Sequence, residues 1–226
     1  MSRTLILNLG IVNLHLLEYD SDLVLIDAGM MGAKKKVLQA IRQLGHQPYD
    51  LKAILVTHAD LDHIGSLKAI ANATGAPIYA GVESARYIES RQSPPHMIPP
   101  LNLMTNTAAY VLRSPTLVNH VVEDGEVLNL GGGIRALATP GHTADHFAYY
   151  WEPERILFAG DLFTHLKRLA LTPPRMTYSR EAAEQSARKV LALNPAAIGV
   201  GHGKAWIAED HPDDLTRLLR EIGDQA

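Results

Sequence analysis

The stretch "VTHADLDHIG" at residues 56–65 places two His and two Asp within six positions, directly after the apolar run "AILV". The protein has only 11 His in 226 residues, so two of them interleaved with acids need a physical reason. Neighbouring carboxylates repel and cost folding free energy unless positive charge sits among them. A solvated turn rich in helix-capping acids is one explanation, and a metal ion is the other. His58 and Asp60 alternate in an extended segment and can face one side, while Asp62 and His63 approach from a different direction. That arrangement suits two adjacent metal ions better than one. With no Cys in the chain, any metal site must be built from His and carboxylates.

Three further places repeat the context. "ALATPGHTADH" ends a strand at Gly141 and presents His142. "ILFAGDLF" ends one at Gly160 and presents Asp161, and "AIGVGHGK" ends one at Gly201 and presents His202. Each apolar strand runs into a Gly that permits a sharp turn and a close backbone approach. A lone His at a strand end is most often structural, but four strand ends of one design argue against coincidence. Metal-bound water loses a proton near neutral pH, which supplies a nucleophile without Ser or Cys. The reaction class expected is metal-assisted hydrolysis of an ester, thioester, lactone, lactam or phosphoester.

At these residues the sequence resembles the metallo-beta-lactamase superfamily, whose loops read H-x-H-x-D-H, then a His in "PGH", an Asp in "GD" and a final His. The resemblance runs from "VNLHLLEYDSDLVLIDAG" to "VGHG", with the loops in the family's order. It implies an α+β, four-layer αββα sandwich with a one- or two-metal site, usually zinc, at one edge. By position it implies that His58 and His142 hold a first metal, that Asp62, His63 and His202 hold a second, and that Asp161 bridges them. Asp27 then supports the metal loops, and Asp62 also acts catalytically by orienting the nucleophile and accepting a proton. Asp60 stands where the family usually has a His, and a carboxylate there can also bind metal. Asp60, Asp62, Asp161 and a bridging hydroxide would neutralise two divalent ions in full, whereas a His at 60 would leave one positive charge. The expected cofactors are two divalent ions, Zn foremost, with Mn or Fe admitted by the carboxylate-rich set. The alternative is that Asp60 turns away and the first site is weak or empty.

These loops need elements to hold them. Residues 4–27 read as consecutive antiparallel strands, 33–45 as a helix ending at Gly45, and "LKAILVT" as a buried strand. A helix over 64–75, the strand "APIYA" and the helix "VESARYIESR" follow. Residues 93–120 hold many Pro and little periodicity and read as a long loop with at most one helical turn, lying over the site. Strands resume from 117 to 161, then an amphipathic helix after the cap Ser179, the strand "AAIGVG" and a terminal helix near Pro212. Two successive sets of strands and helices predict two sheets packed face to face with helices outside, in a single domain over 1–226.

Composition narrows the partners. Hydrophobic residues are 46% and charged residues 20%, as in ordinary globular proteins, and the net charge is -3. No basic tract suggests nucleic acid. The apolar N-terminal stretch is interrupted by Asn8, Asn13 and His15 and reads as strands rather than as a secretory signal. No run of about 18 apolar residues suggests a membrane span, so a cytoplasmic location is expected, and the oligomeric state leaves no mark. Met97, Ile98, Leu101, Leu103, Met104 and Tyr110 could meet an apolar acyl group. His165 could be substrate-facing or a surface residue, and His15, His46, His96, His120 and His211 default to structure or surface. The leading expectation is a small-molecule hydrolase that uses a metal-bound hydroxide on an ester, lactone or thioester. The alternatives are an iron-dependent persulfide-type oxygenase of the same fold and a catalytically inactive metal-binding scaffold.

Overall fold

A computed structural model describes residues 2–95 and 99–223. The first six strands form one sheet in sequence order: β1 Ser2–Asn8, β2 Asn13–Tyr19, β3 Asp22–Ile26, β4 Leu51–Leu55, β5 Ile78–Gly81 and β6 His120–Val122. β1 to β3 pair antiparallel through short turns, and β3 to β6 pair parallel. Parallel neighbours need crossovers, and helices supply them: α1 Lys34–Gln43, α2 Leu61–Ile64, α3 Leu67–Thr74, α4 Val82–Ser90 and α5 Pro99–Leu112.

The second sheet contains β7 Val127–Leu128, β8 Ile134–Ala138, β9 Phe147–Trp151 and β10 Ile156–Phe158. After β10 come β11 Phe163–His165 and β12 Leu169–Leu171, then α6 Arg180–Leu191. β13 Ala197–Gly199 joins the second sheet beside β10, and β15 Trp206–Ile207 closes that edge. β14 His202–Gly203 instead pairs with β11, so β12, β11 and β14 make a small third sheet. The C-terminal helix is α7 Asp214–Gly223.

The layering follows from the period-two pattern of the strands. Along β3, Leu23 and Leu25 pack outward with Val37 and Ile41 of α1 and Leu67 and Ile70 of α3. Val24 and Ile26 point the other way, into a core shared with Leu55, Tyr149, Trp151 and Phe158 between the sheets. β9 alternates likewise: Tyr149 and Trp151 face the first sheet, while Ala148 and Tyr150 pack with Val190 of α6 and Ile222 of α7. Three apolar cores therefore separate four layers in the order αββα. Each fully buried Leu, Ile or Phe contributes about 1.5–3 kcal/mol to holding them. Among the described residues no helix is long and apolar enough to cross a membrane.

Two sequence expectations change. The helix expected over 64–75 is split into α2 and α3 at Gly65 and Ser66, because Ser66 Oγ donates to the Met30 carbonyl at 2.6 Å and accepts from Ala33 N–H at 2.9 Å. Gly65 itself lies against the Met30–Met31 backbone, leaving no space for a Cβ. The segment expected as a loop contains α5, 14 residues long. Its Pro99 and Pro100 stand in the first turn, where a missing N–H costs nothing. The Pro-rich composition thus marked a helix start rather than a loop.

Candidate metal centre

The side chains expected to face metal come from four connections at one edge of the two central sheets. His58 and Asp60 lie between β4 and α2, and Asp62 and His63 lie on α2. His142 follows β8, Asp161 follows β10, and His202 begins β14. Burial is deep: His58 and His63 are 0% exposed, and Asp161 and His142 are 3% and 4% exposed.

Asp27 organises the first loop. Its backbone φ of 62° turns the chain sharply out of β3, and its carboxylate accepts from Thr57 N–H and Thr57 Oγ–H, both at 2.8 Å. The same carboxylate lies 2.8 Å from His63 Nδ1, which leaves Nε2 of that ring for the site. His58 is fixed in the same way, with Thr57 Oγ1 3.0 Å from its Nδ1. The Asp161 backbone N–H donates to His146 Nε2 at 3.1 Å, and Thr172 Oγ–H donates to the Asp161 carbonyl at 2.6 Å. These bonds hold the backbone of Asp161 and free its carboxylate. Asn13 Nδ2 donates to the carbonyls of Val200 and Gly203 at 3.0 and 2.8 Å, and His202 Nδ1 faces the Ile11 carbonyl. Asp60 begins α2 but makes no side-chain cap bond to it.

With their scaffold sides occupied, the remaining atoms converge. Potential ligand atoms of His58, Asp60 and His142 lie together, as do those of His58, His63 and Asp161, and those of Asp62, His63 and His202. His58 Nε2 is 3.5 Å and His142 Nε2 3.3 Å from Asp60 Oδ2. His63 Nε2 is 3.4 Å from Asp161 Oδ1 and 3.9 Å from Asp62 Oδ2. His202 Nε2 is 3.4 Å from Asp62 Oδ2 and 3.1 Å from Asp161 Oδ2, and His142 Nε2 is 3.7 Å from that same Asp161 oxygen. Charge-assisted hydrogen bonds are shorter, about 2.7–2.9 Å. A tetrahedron with metal–ligand bonds of about 2.0–2.2 Å has edges of roughly 3.3–3.6 Å. The spacings therefore fit the edges of metal polyhedra better than direct pairs. Consistent with this, His58 Nε2, His63 Nε2 and Asp161 Oδ1 are buried without a hydrogen bond. A hard and borderline donor set of imidazole and carboxylate suits divalent cations.

The electrostatics are those of a cation site. Burial opposes charge on Asp161, but His63, His202 and His142 outweigh it and hold the carboxyl well below its ordinary range. Burial likewise opposes protonation of His63, and Asp161, Asp27 and Asp62 overcome it to raise that imidazole well above its ordinary value. Contacts with Asp161 and then Asp62 push His202 up to about 10. Burial, then His58 and His142, hold His146 well below its ordinary value, so it stays a neutral acceptor for the Asp161 N–H.

Most of the chain carries the same signature. A family model described as the metallo-beta-lactamase superfamily matches residues 7–202. The chain belongs to the metallo-beta-lactamase superfamily. It is 27% identical over 241 residues to a probable metallo-hydrolase of Bacillus subtilis, covering 96% of this chain and 89% of that one. It is 29% identical over 198 residues to a hydroxyacylglutathione hydrolase of Rhodobacter capsulatus, covering 79% of this chain and 64% of that one. Among solved structures, a B3 metallo-beta-lactamase described as having an active-site glutamic acid matches with a TM-score of 0.66 and 26% identity, covering 97% of this chain and 87% of that one. This member of the metallo-beta-lactamase superfamily is a metal-dependent hydrolase, and its clustered His and Asp residues are positioned for a metal site.

The site opens into a cavity of about 440 Å³ whose wall includes Asp60, Asp62, His142, Asp161 and His202. Of the apolar residues expected over the site, Met104 lines this cavity. Leu103 is 74% exposed, and Tyr110 turns outward, where Arg91 lies 4.1 Å from its ring centre. His96, Met97 and Ile98 lie outside the described residues, as does the Leu101 side chain. His165 is buried and pairs with the Lys204 carbonyl at 3.2 Å, apart from the cavity. Sequence reading missed Ile11 and Met176, which line the cavity from loops with no motif. It also missed Asp145, which stands inside "PGHTADH" three residues after His142.

Proposed function

We propose that the protein is a dinuclear metal-dependent hydrolase of small carboxylic esters, lactones or thioesters with an apolar acyl group. One observation carries the reading: Asp161 faces His142 on one side and His63 and His202 on the other, at the wall of a cavity whose remaining lining is mostly apolar. His58, Asp60 and His142 would hold one ion, Asp62, His63 and His202 the other, and Asp161 both. Zinc is the first candidate, with Mn and Fe admitted by three carboxylates. Bound divalent ions supply a nucleophile near neutral pH by acidifying water, and they polarise a substrate carbonyl.

The chain's own residues do the rest. Burial raises the Asp62 pKa, but His63 and His202 outweigh it and keep the carboxylate ionised. As a half-buried group on the cavity wall, Asp62 takes up the proton of the attacking water and orients it. Ile11, Leu61, Met104, Ala108 and Met176 offer an apolar surface to an acyl group and exclude water from it. The hydroxyacylglutathione hydrolases among its relatives are named for a thioester, which supports including that class. The test is metal analysis together with an ester, lactone and thioester panel, before and after chelation and with Zn²⁺, Mn²⁺ or Fe²⁺ restored. Turnover that follows metal content, and rises with acyl length, is the expected outcome. Tightly bound metal without turnover on any of the three classes would sink the proposal.

A further inference from the structure

Two charged side chains outside the metal-facing set are buried against the loop that carries His58 and Asp60. Arg113, directly after α5, is 7% exposed, and Asp145 is 3% exposed. Arg113 Nη1 donates to the Ala59 carbonyl at 3.5 Å and to the Gln92 carbonyl at 3.0 Å, and Nη2 donates to the Tyr87 carbonyl at 3.2 Å. Asp145 Oδ2 accepts from the Ala59 N–H at 2.9 Å and from Ser84 Oγ–H at 2.7 Å. A cation and an anion thus hold the two peptide groups of Ala59, the residue between His58 and Asp60.

Carbonyls satisfy guanidinium N–H groups but do not neutralise the charge. A buried cation needs a buried anion nearby to be tolerated. Burial draws the Arg113 pKa down to about 10, and Asp60 and then Asp145 are the groups that counter it, so the side chain stays charged at neutral pH. Asp145 alone would balance Arg113 if position 60 were neutral. With Asp at 60, the loop carries two buried carboxylates and one guanidinium around a cation site.

We propose that Arg113 is the fixed counter-charge that permits a carboxylate at position 60, a positioning residue matched to Asp60 rather than one that touches substrate. The inference rests on the reading that Asp60 faces the first ion. Asp60 adds one negative charge relative to the His usual in the family, and Arg113 adds one positive charge at the adjoining Ala59 carbonyl. Around the first ion the pair therefore leaves the net charge that a His would leave. A His at 60 with Arg113 still present would leave the loop one charge more positive than Asp does, and the first ion should bind it more weakly.

The test is a double-mutant cycle on the metal-free protein, by chemical denaturation in chelator, with Asp60→Asn, Arg113→Gln and both together. Arg113→Gln should reduce the folding equilibrium constant at least about tenfold more in the otherwise unmodified chain than in the Asp60→Asn background. Recovery of folding in the double variant, if Arg113→Gln alone does not fold, counts the same way. Arg113→Lys keeps the charge while losing the fork, and should retain most of the stability that Gln loses. In Zn²⁺ competition titrations, Asp60→His should bind its first ion more weakly than Asp60→His combined with Arg113→Gln. Additive costs at 60 and 113, or a Lys variant no better than Gln, would overturn the proposal. The underlying reading fails separately, if the unmodified protein takes up fewer than two ions, and that result leaves the cycle in chelator to be judged alone.

Discussion

At Asp60 the side chain forgoes the cap bond to α2, although Asp is among the strongest N-cap residues and such a bond contributes about 1 kcal/mol. Its Oδ2 instead lies 3.5 Å from His58 Nε2 and pairs with His142 Nε2 at 3.3 Å, an arrangement into which a cation shared by the three would fit. Asp60→Asn should therefore lower metal content by about one ion per chain and leave the second ion in place, since an amide is a poorer ligand. Asp161→Ala should act differently, because its two oxygens face His63 on one side and His142 and His202 on the other. Removing that shared carboxylate should strip both ions and lower kcat/KM at least about 100-fold, on the expectation that losing a ligand costs more than losing a supporting partner. Elemental analysis after gel filtration separates the two outcomes, and Asp161→Ala protein that keeps two ions would remove it from the shared position. Asp27 supports from behind, through His63 Nδ1. Asp27→Ala should weaken metal affinity roughly 10–100-fold without abolishing it, as read by competition with a chromophoric chelator.

Among the elements, the connection from β13 to β14 is tightly constrained. A Cβ on Gly201 would overlap Asp161 Oδ1 and come 2.8 Å from His63 Cε1. Gly201→Ala should displace the Asp161 carboxylate, so metal content should drop below one ion per chain while the far-ultraviolet circular dichroism of the sandwich is unchanged. Full metal content in that variant would show that the loop can yield. This glycine, Gly160 and Gly141 were legible because each interrupts an apolar run just before a His or Asp. The alternation of β3 and β9 was legible for the same reason: apolar side chains on both faces mark strands covered on both sides. What could not be read is instructive. α5 hid behind its own prolines, and β11, β12 and β14 are only two or three residues long, too short for any period to register. Arg113 carries no local signal, since its importance arises from Ala59, 54 positions away in sequence. Asp145 likewise carries no local signal, since its partners Ala59 and Ser84 lie 86 and 61 positions away in sequence.

For the whole molecule, three apolar cores hold the layers together, while the edge that carries the site gathers buried charge that those cores cannot neutralise. Stability should therefore depend on what neutralises it, and the sign follows from the shifted groups. His63, His142 and His202 have folded pKa values raised above the ordinary value, by neighbouring carboxylates that outweigh burial for the first two and chiefly by Asp161 and Asp62 for His202. In metal-free protein their contribution is fully present below about pH 6.5. It is lost as pH rises through the folded values, which for His202 is about 10. Asp161 and Asp62 are lowered despite burial, so their contribution is present above the ordinary carboxyl range and is lost as pH falls through their folded values. Burial holds His15 and His146 low, so their contribution fades below about pH 6.5, and metal-free protein should be most stable near that pH and weaken toward alkaline pH. Metal offsets that trend, because it binds neutral imidazole and its affinity grows as protons leave. A ligand present at a hundredfold excess over its Kd stabilises by about 2.7 kcal/mol, which for a chain of this size is roughly 5–10 °C in Tm. Melting curves with Zn²⁺ and with chelator, taken at about pH 6, 7.5 and 9, should show a gap that widens with pH. The cause would be a falling chelator curve rather than a rising metal curve. A gap that is constant or narrows across that range would mean that the cation does not take the place of these protons, and that the His and Asp cluster is held together without it.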